Sequence, residues 1–227
     1  MTIPSPSQHH DPQILRGQEA VDYLNQRGIS VEAVRTALEQ GEVDASTATS
    51  YDPVTAAGLK RWMTTVGTLR EKLAKTSEWE IADPQNRPIA IHKDSGRTIA
   101  VVGGNSKIGI EDGKPNVARK KGAATEHFYK SGVGVQLVLP ITTSSPSKDS
   151  PQEDDTSPQS ASENWVLLYY RDKAELRAEI SWPLDCQNGY FTGFHVRILL
   201  DPISYAIDDK QPLDIGGSDV DFSITTA

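Results

Sequence analysis

The residues best suited to chemistry lie between 103 and 132, where Lys107, Lys114, Arg119, Lys120, Lys121 and Lys130 stand against only Glu111, Asp112 and Glu126, in a chain of formal net charge -8. Three of these cations are consecutive, and His127, Phe128 and Tyr129 follow them closely. Ammonium and guanidinium groups neutralise phosphate or carboxylate, aromatic faces stack on bases, and an imidazole exchanges protons near neutral pH. That is the chemistry of anion recognition. The six cations together with His127, Phe128 and Tyr129 are the candidate ligand-binding residues.

The same stretch opens with Gly103-Gly104-Asn105-Ser106-Lys107-Ile108-Gly109, and successive backbone amides beside a lysine suit a phosphate. Its spacing matches neither the G-x-x-x-x-G-K-[ST] loop nor the G-x-G-x-x-G dinucleotide fingerprint. His9 and His10 are two metal ligands without a scaffold, and His92, His127 and His195 have no ligand spacing around them. The one cysteine, Cys186, excludes an intrachain disulfide and a multi-thiolate site, and nothing near it or His195 in sequence activates a thiolate. The C-terminal aspartates from Asp201 to Asp221 fit no calcium loop. No catalytic residue, metal or cofactor is assigned. The reading that follows is a non-enzymatic interaction or accessory protein whose basic, glycine-containing loop contacts nucleic acid or an acidic protein partner. The alternative is an enzyme acting on a phosphorylated or nucleotide substrate held by residues 103–132, with His127 as acid or base.

The elements that must position these residues begin with helices. Residues 1–12 hold nothing to bury and read as a loose tail. Helical spacing covers 17–27, with Gly28 as its stop, and 30–41, with Ser30 as N-cap and Gly41 as its close. The pair meets with the spacing of a helix-turn-helix, but three arginines against six acids between 13 and 45 argue against a surface for DNA. A structural helical hairpin, or a surface for a protein partner marked by an exposed apolar patch on Val21, Leu24 or Leu38, is the expected use of this pair. A third helix is expected from Asp52 as cap and Pro53 as first residue to about 75, with Leu59, Trp62, Met63, Val66, Leu69 and Leu73 as its apolar stripe and Lys60, Arg61, Arg70 and Lys72 toward solvent.

Beyond residue 79 the period becomes strand-like. Strands are expected at 87–93 and 97–102, joined by Asp94-Ser95-Gly96, then at 133–142, 165–170, 176–182, 191–200 and 220–224, with Asn188-Gly189 as a hairpin turn. Leu176, Ala178, Ile180 and Trp182 alternate with Arg177, Glu179 and Ser181, which places the polar set on a wet face. Residues 143–163, rich in serine, proline and acids, read as a disordered insertion that folds back over the basic loop. The expected architecture is α+β: three helices over 13–78 packed on a largely antiparallel sheet of five to seven strands over 79–227, in one domain. Clustered positive charge is local and no apolar run spans a bilayer, so no membrane partner is expected, and the single cysteine fits a cytoplasmic location.

Overall fold

The computed structural model describes residues 11–130 and 163–205. In chain order these form β1 (Gln13–Leu15), α1 (Gly17–Asn25), α2 (Val31–Ala45), α3 (Ala56–Ala74), β2 (Trp79–Ala82), β3 (Ile89–His92), β4 (Thr98–Gly103), α4 (Ala123–Lys130), β5 (Asn164–Arg171), β6 (Glu175–Gln187), β7 (Tyr190–Leu199) and β8 (Ile203–Ser204). Residues 1–10 of the tail, the strand at 133–142, nearly all of the acidic insertion and the strand at 220–224 lie outside the described residues. Among the described residues no helix is long and apolar enough to cross a membrane.

The fold is α+β, but the sheet is mixed. Its order is β1-β7-β6-β5-β4-β3-β2, with β8 also paired to β6. The hairpins β3–β4 and β6–β7 are antiparallel as their turns dictate, whereas β4 and β5 run parallel from Thr98↔Asn164 to Gly103↔Tyr169, and β1 runs parallel to β7. Parallel neighbours need a crossover, and the chain between β4 and β5 supplies one that includes α4. An antiparallel expectation fails there because strand direction depends on which strand arrives beside β4, and local pattern carries no such information.

Alternation along the central strands sends Ile99, Val101, Trp165 and Leu167 to one face, and Ala100, Val102, Val166 and Leu168 to the other. On the first face α1, α2 and α3 pack with Leu24, Ile29, Val34, Leu38, Val66, Leu69 and Leu73 buried. Gly28 takes φ +71°, and its carbonyl accepts a hydrogen bond from the Trp79 indole at 3.0 Å, so the stop of α1 is tied to the sheet edge. Leu24 and Leu38 are core and Val21 is half-buried, which removes the apolar partner surface expected of the first two helices.

Two helix limits differ from expectation. Gly41 lies inside α2, which continues to Ala45; a Cβ there would stand 2.2 Å from Thr65 Oγ1 and 2.8 Å from the Arg61 carbonyl, so this glycine lets α2 and α3 touch. Asp52 does not cap α3. Its carboxylate accepts from Thr49 N–H and Oγ1 in the preceding turn, and the helix starts at Ala56. Within α3, Met63 is exposed and Arg61 is buried against Glu42 at 2.7 Å, the reverse of their expected sides.

Candidate functional site

The stretch expected as an open basic loop is the cover of the second sheet face. Past β4 the chain turns out and back: Gly104 bridges to Val117, Asn105 N–H donates to the Asn116 carbonyl at 2.9 Å, and Ala118 N–H donates to Gly103 at 3.0 Å. Two asparagines hold the turn in place of regular structure. The Asn105 side chain accepts from Lys107 N–H (3.1 Å) and Asn116 N–H (3.3 Å), while Asn116 exchanges two hydrogen bonds with the Phe191 backbone at 2.9 and 3.0 Å. Ile108 and Val117 fill the space beneath.

Its second anchor is ionic. Glu179 and Arg197, 0% and 2% exposed, face each other across β6 and β7 at 2.7 Å. The rest of the Arg197 fork donates to the carbonyls of Ile110 (2.9 Å), Glu111 (2.9 Å) and Gly113 (3.3 Å), and Glu179 accepts from Gly109 N–H at 3.0 Å. Ser181 donates to the same carboxylate at 2.9 Å. The wet face expected for Glu179 and Ser181 is thus a buried polar layer. Desolvating such a pair is repaid only when the remaining donors are also satisfied, and here they are.

This anchoring empties the glycine loop of anion chemistry. The N–H groups of Gly104, Asn105, Lys107, Ile108, Gly109 and Ile110 all donate to acceptors within the protein, so no row of free amides is left to cradle a phosphate.

The candidate residues divide accordingly. Residues 123–130, expected as loop, form α4, which buries Phe128 and Tyr129 at 7% and 6% exposure. Their rings meet edge to face at 5.0 Å, Tyr129 meets Phe191 at 5.0 Å, and Arg87 covers Phe128 at 4.4 Å. Neither presents a face for stacking. Lys121 is buried too, its N–H bonded to the Gly189 carbonyl at the β6–β7 tip. Lys130 pairs with Glu126 at 3.6 Å, and His127 is exposed on α4. Lys107, Lys114, Arg119 and Lys120 remain exposed.

Arg119 stands apart from the other arginines. All eleven lie among the described residues, and each of the other ten meets a carboxylate or an aromatic ring: Arg16, Arg35, Arg61, Arg70, Arg97, Arg171, Arg177 and Arg197 pair with acids, Arg27 with both, and Arg87 with Phe128. Among the described residues Arg119 has neither.

The remaining reactive groups are scattered. Burial pushes the Cys186 thiol up to about 11, with Glu126 and Asp185 adding to it, so it is no thiolate nucleophile. Cys186 sits in the core under α4, while His195 lies against Trp182 on the helix side with ring centroids 4.3 Å apart. A register shift puts it there: Trp182 pairs with Val196 and Pro183 with Phe194, leaving His195 as the extra residue of a bulge. His92 accepts from Ser95 N–H in its own hairpin. Among the described residues no group of three or more His, Cys, Asp or Glu could hold a metal ion. No family model matches the chain, and no curated protein or solved structure matches it either.

Proposed function

We propose that the protein is a non-enzymatic interaction module that takes an acidic protein segment on the rim formed by Lys114, Arg119 and Lys120. The observation that carries this reading is that Arg119, alone of the arginines, meets no carboxylate or aromatic ring among the described residues. A guanidinium forks onto a carboxylate in bidentate geometry, which makes it the natural centre of such a contact. The rim is rigid, because Arg197, Glu179 and two asparagines hold one side and the Lys121–Gly189 bond holds the other. Little ordering entropy is then lost on binding.

Burial of Phe128 and Tyr129 favours protein over nucleic acid: neither ring is offered for stacking beside the rim, and the cluster of exposed cations is local in a chain of net charge -8. The enzymatic alternative draws no support from His127, which is exposed on α4. A cytoplasmic location accords with the single, buried cysteine.

Fluorescence anisotropy of a labelled poly-glutamate peptide, with single-stranded DNA, RNA and duplex DNA in parallel, tests the reading. The peptide is expected to bind with salt-sensitive affinity that falls about tenfold or more when Lys114, Arg119 and Lys120 are changed together to Ala. Binding of nucleic acid in preference to peptide, or peptide binding that ignores the triple change, would overturn it.

A further inference from the structure

On the helix face, at the end of the sheet where β4 and β5 begin, two arginines share one carboxylate. Arg97 Nε donates to Glu163 Oε2 at 2.7 Å, the Trp165 indole donates to the same oxygen at 2.9 Å, and Arg27 Nε lies 3.8 Å from it. The Arg27 guanidinium is stacked 3.5 Å above the Tyr23 ring and donates through Nη1 to the Tyr23 carbonyl at 3.2 Å. Arg97 Nη1 reaches the Arg27 carbonyl at 3.5 Å. The side chains of Arg27 and Arg97 are 19% and 16% exposed, so most of this charge is withdrawn from water.

The cluster is unbalanced in charge and in hydrogen bonding. Two guanidinium groups meet one carboxylate, every donor to that carboxylate converges on Oε2, and the Nη2 atoms of both arginines have no acceptor among the described residues. Arg27 Nε is buried without a hydrogen bond. Arg70 Nε and Arg177 Nε are also buried without a hydrogen bond, but Arg70 faces Asp83 and Arg177 faces both Asp172 and Glu175, so neither shares a single carboxylate with a second arginine. Arg197 places all its nitrogens on Glu179 and three carbonyls, and at Glu42, also shared by two arginines, Arg61 takes Oε2 at 2.7 Å while Arg171 takes Oε1 at 2.8 Å. Burial would raise the Glu163 pKa, yet hydrogen bonds from Arg97 and Trp165 and the charge of both arginines hold it below its ordinary value, so the carboxylate is ionised at neutral pH and still leaves one positive charge over. Of these nitrogens only Arg27 Nε is fully buried, so the Nη2 edges of both guanidinium groups stay open, and an anion that met them would offset the surplus.

We propose that Arg27 and Arg97 form an oxyanion site whose ligand is a phosphate, with Tyr23 and Trp165 as its aromatic wall. A phosphate has oxygens enough to meet both guanidinium edges at once, and its charge offsets the surplus. The site lies across the sheet from the rim of Lys114, Arg119 and Lys120, and the two proposals stand or fall separately.

The test titrates inorganic phosphate into the intact protein at constant ionic strength and reads tryptophan fluorescence, since Trp165 is bonded to the carboxylate the arginines share. A saturable change is expected, weakened about tenfold or more in Arg27→Gln and in Arg97→Gln, and unaltered in the Lys114, Arg119 and Lys120 triple variant. Far-UV circular dichroism checks each fold; should Arg97→Gln not fold, Arg27→Gln alone decides. No saturable change in the wild type, or one that survives in Arg27→Gln, overturns the site. An equal response to acetate overturns the phosphate assignment.

Discussion

The two covers of the sheet do the same job by different physics. On one face α1, α2 and α3 bury a broad set of aliphatic side chains. On the other, residues 104–122 contribute few apolar groups, chiefly Ile108 and Val117, and are held by Asn105, Asn116 and the Glu179–Arg197 pair. Helical backbone satisfies its own polar groups. An irregular layer has no such internal ladder, so side chains that donate and accept must replace it, and rigidity then depends on a handful of them.

The strongest way to break the comparison is Arg197→Met. This removes the partner of a fully buried carboxylate and strips three carbonyls of their donor, and the expected cost is about 3–5 kcal/mol. Urea denaturation measures the total. Hydrogen exchange then locates it: protection should be lost first over 105–117, while α2 and α3 retain theirs. Equal loss in both layers would mean that the covers are not separately held.

Legibility in the sequence follows the same division. The helical stripe of Trp62, Val66, Leu69 and Leu73, the Ser30 cap, the Gly28 stop and the two turn-joined hairpins are local patterns, and all are present. Arg177, Glu179 and Ser181 alternate identically whether they face water or a polar layer, and nothing near Glu179 points to Arg197 eighteen residues away or to carbonyls near 110. For the same reason the basic stretch looked open. Its composition is that of a solvated loop, and only Phe128 and Tyr129, adjacent rings, hinted at the burial that α4 provides. The exposed cations Lys114, Arg119 and Lys120 were legible as charge; that Arg119, alone of the arginines, has no partner among the described residues required every other arginine to be placed first. The Arg27–Arg97–Glu163 cluster joins residues from three distant stretches and carried no signal in any of them.

A second test asks whether the helix cover also rests on a polar tie. Glu42, buried in α2, takes Arg61 and Arg171 on its two oxygens. Burial alone would raise its pKa, but these hydrogen bonds and charges outweigh burial and hold it below 4.5. Because the folded value lies below the unfolded one, the tie stabilises fully above pH 4.5 and is lost as pH falls through the folded value. Stability of the wild type should therefore drop on the acid side of 4.5. Glu42→Gln should be weaker at pH 7, where two guanidinium groups lose their counter-charge, and should show a flatter acid limb. An acid limb of unchanged slope would assign the acid sensitivity to other carboxylates.

Smaller effects come from matched substitutions within the same helical cover. Gly41→Ala drives a methyl to within 2.2 Å of Thr65 Oγ1 and 2.8 Å of a backbone oxygen on α3. The hydroxyl can rotate away, but the carbonyl cannot, so the helices must separate. The expected cost is about 1–3 kcal/mol, read from the urea midpoint.

Gly67→Ala is the counterpart, and the smallest expected effect. Gly67 lies in the interior of α3, exposed, with nothing within 4 Å of an added Cβ. Alanine there loses no contact, restricts the unfolded chain and suits helical backbone, so the protein should gain about 0.4–1 kcal/mol, an upward shift of a few degrees in Tm. The same methyl, on two neighbouring helices, is thus expected to act with opposite signs because one site is a helix crossing and the other is open to water. Should both alanines destabilise, helix contact would not explain Gly41, and the helical cover would be less tolerant than its apolar stripe implies.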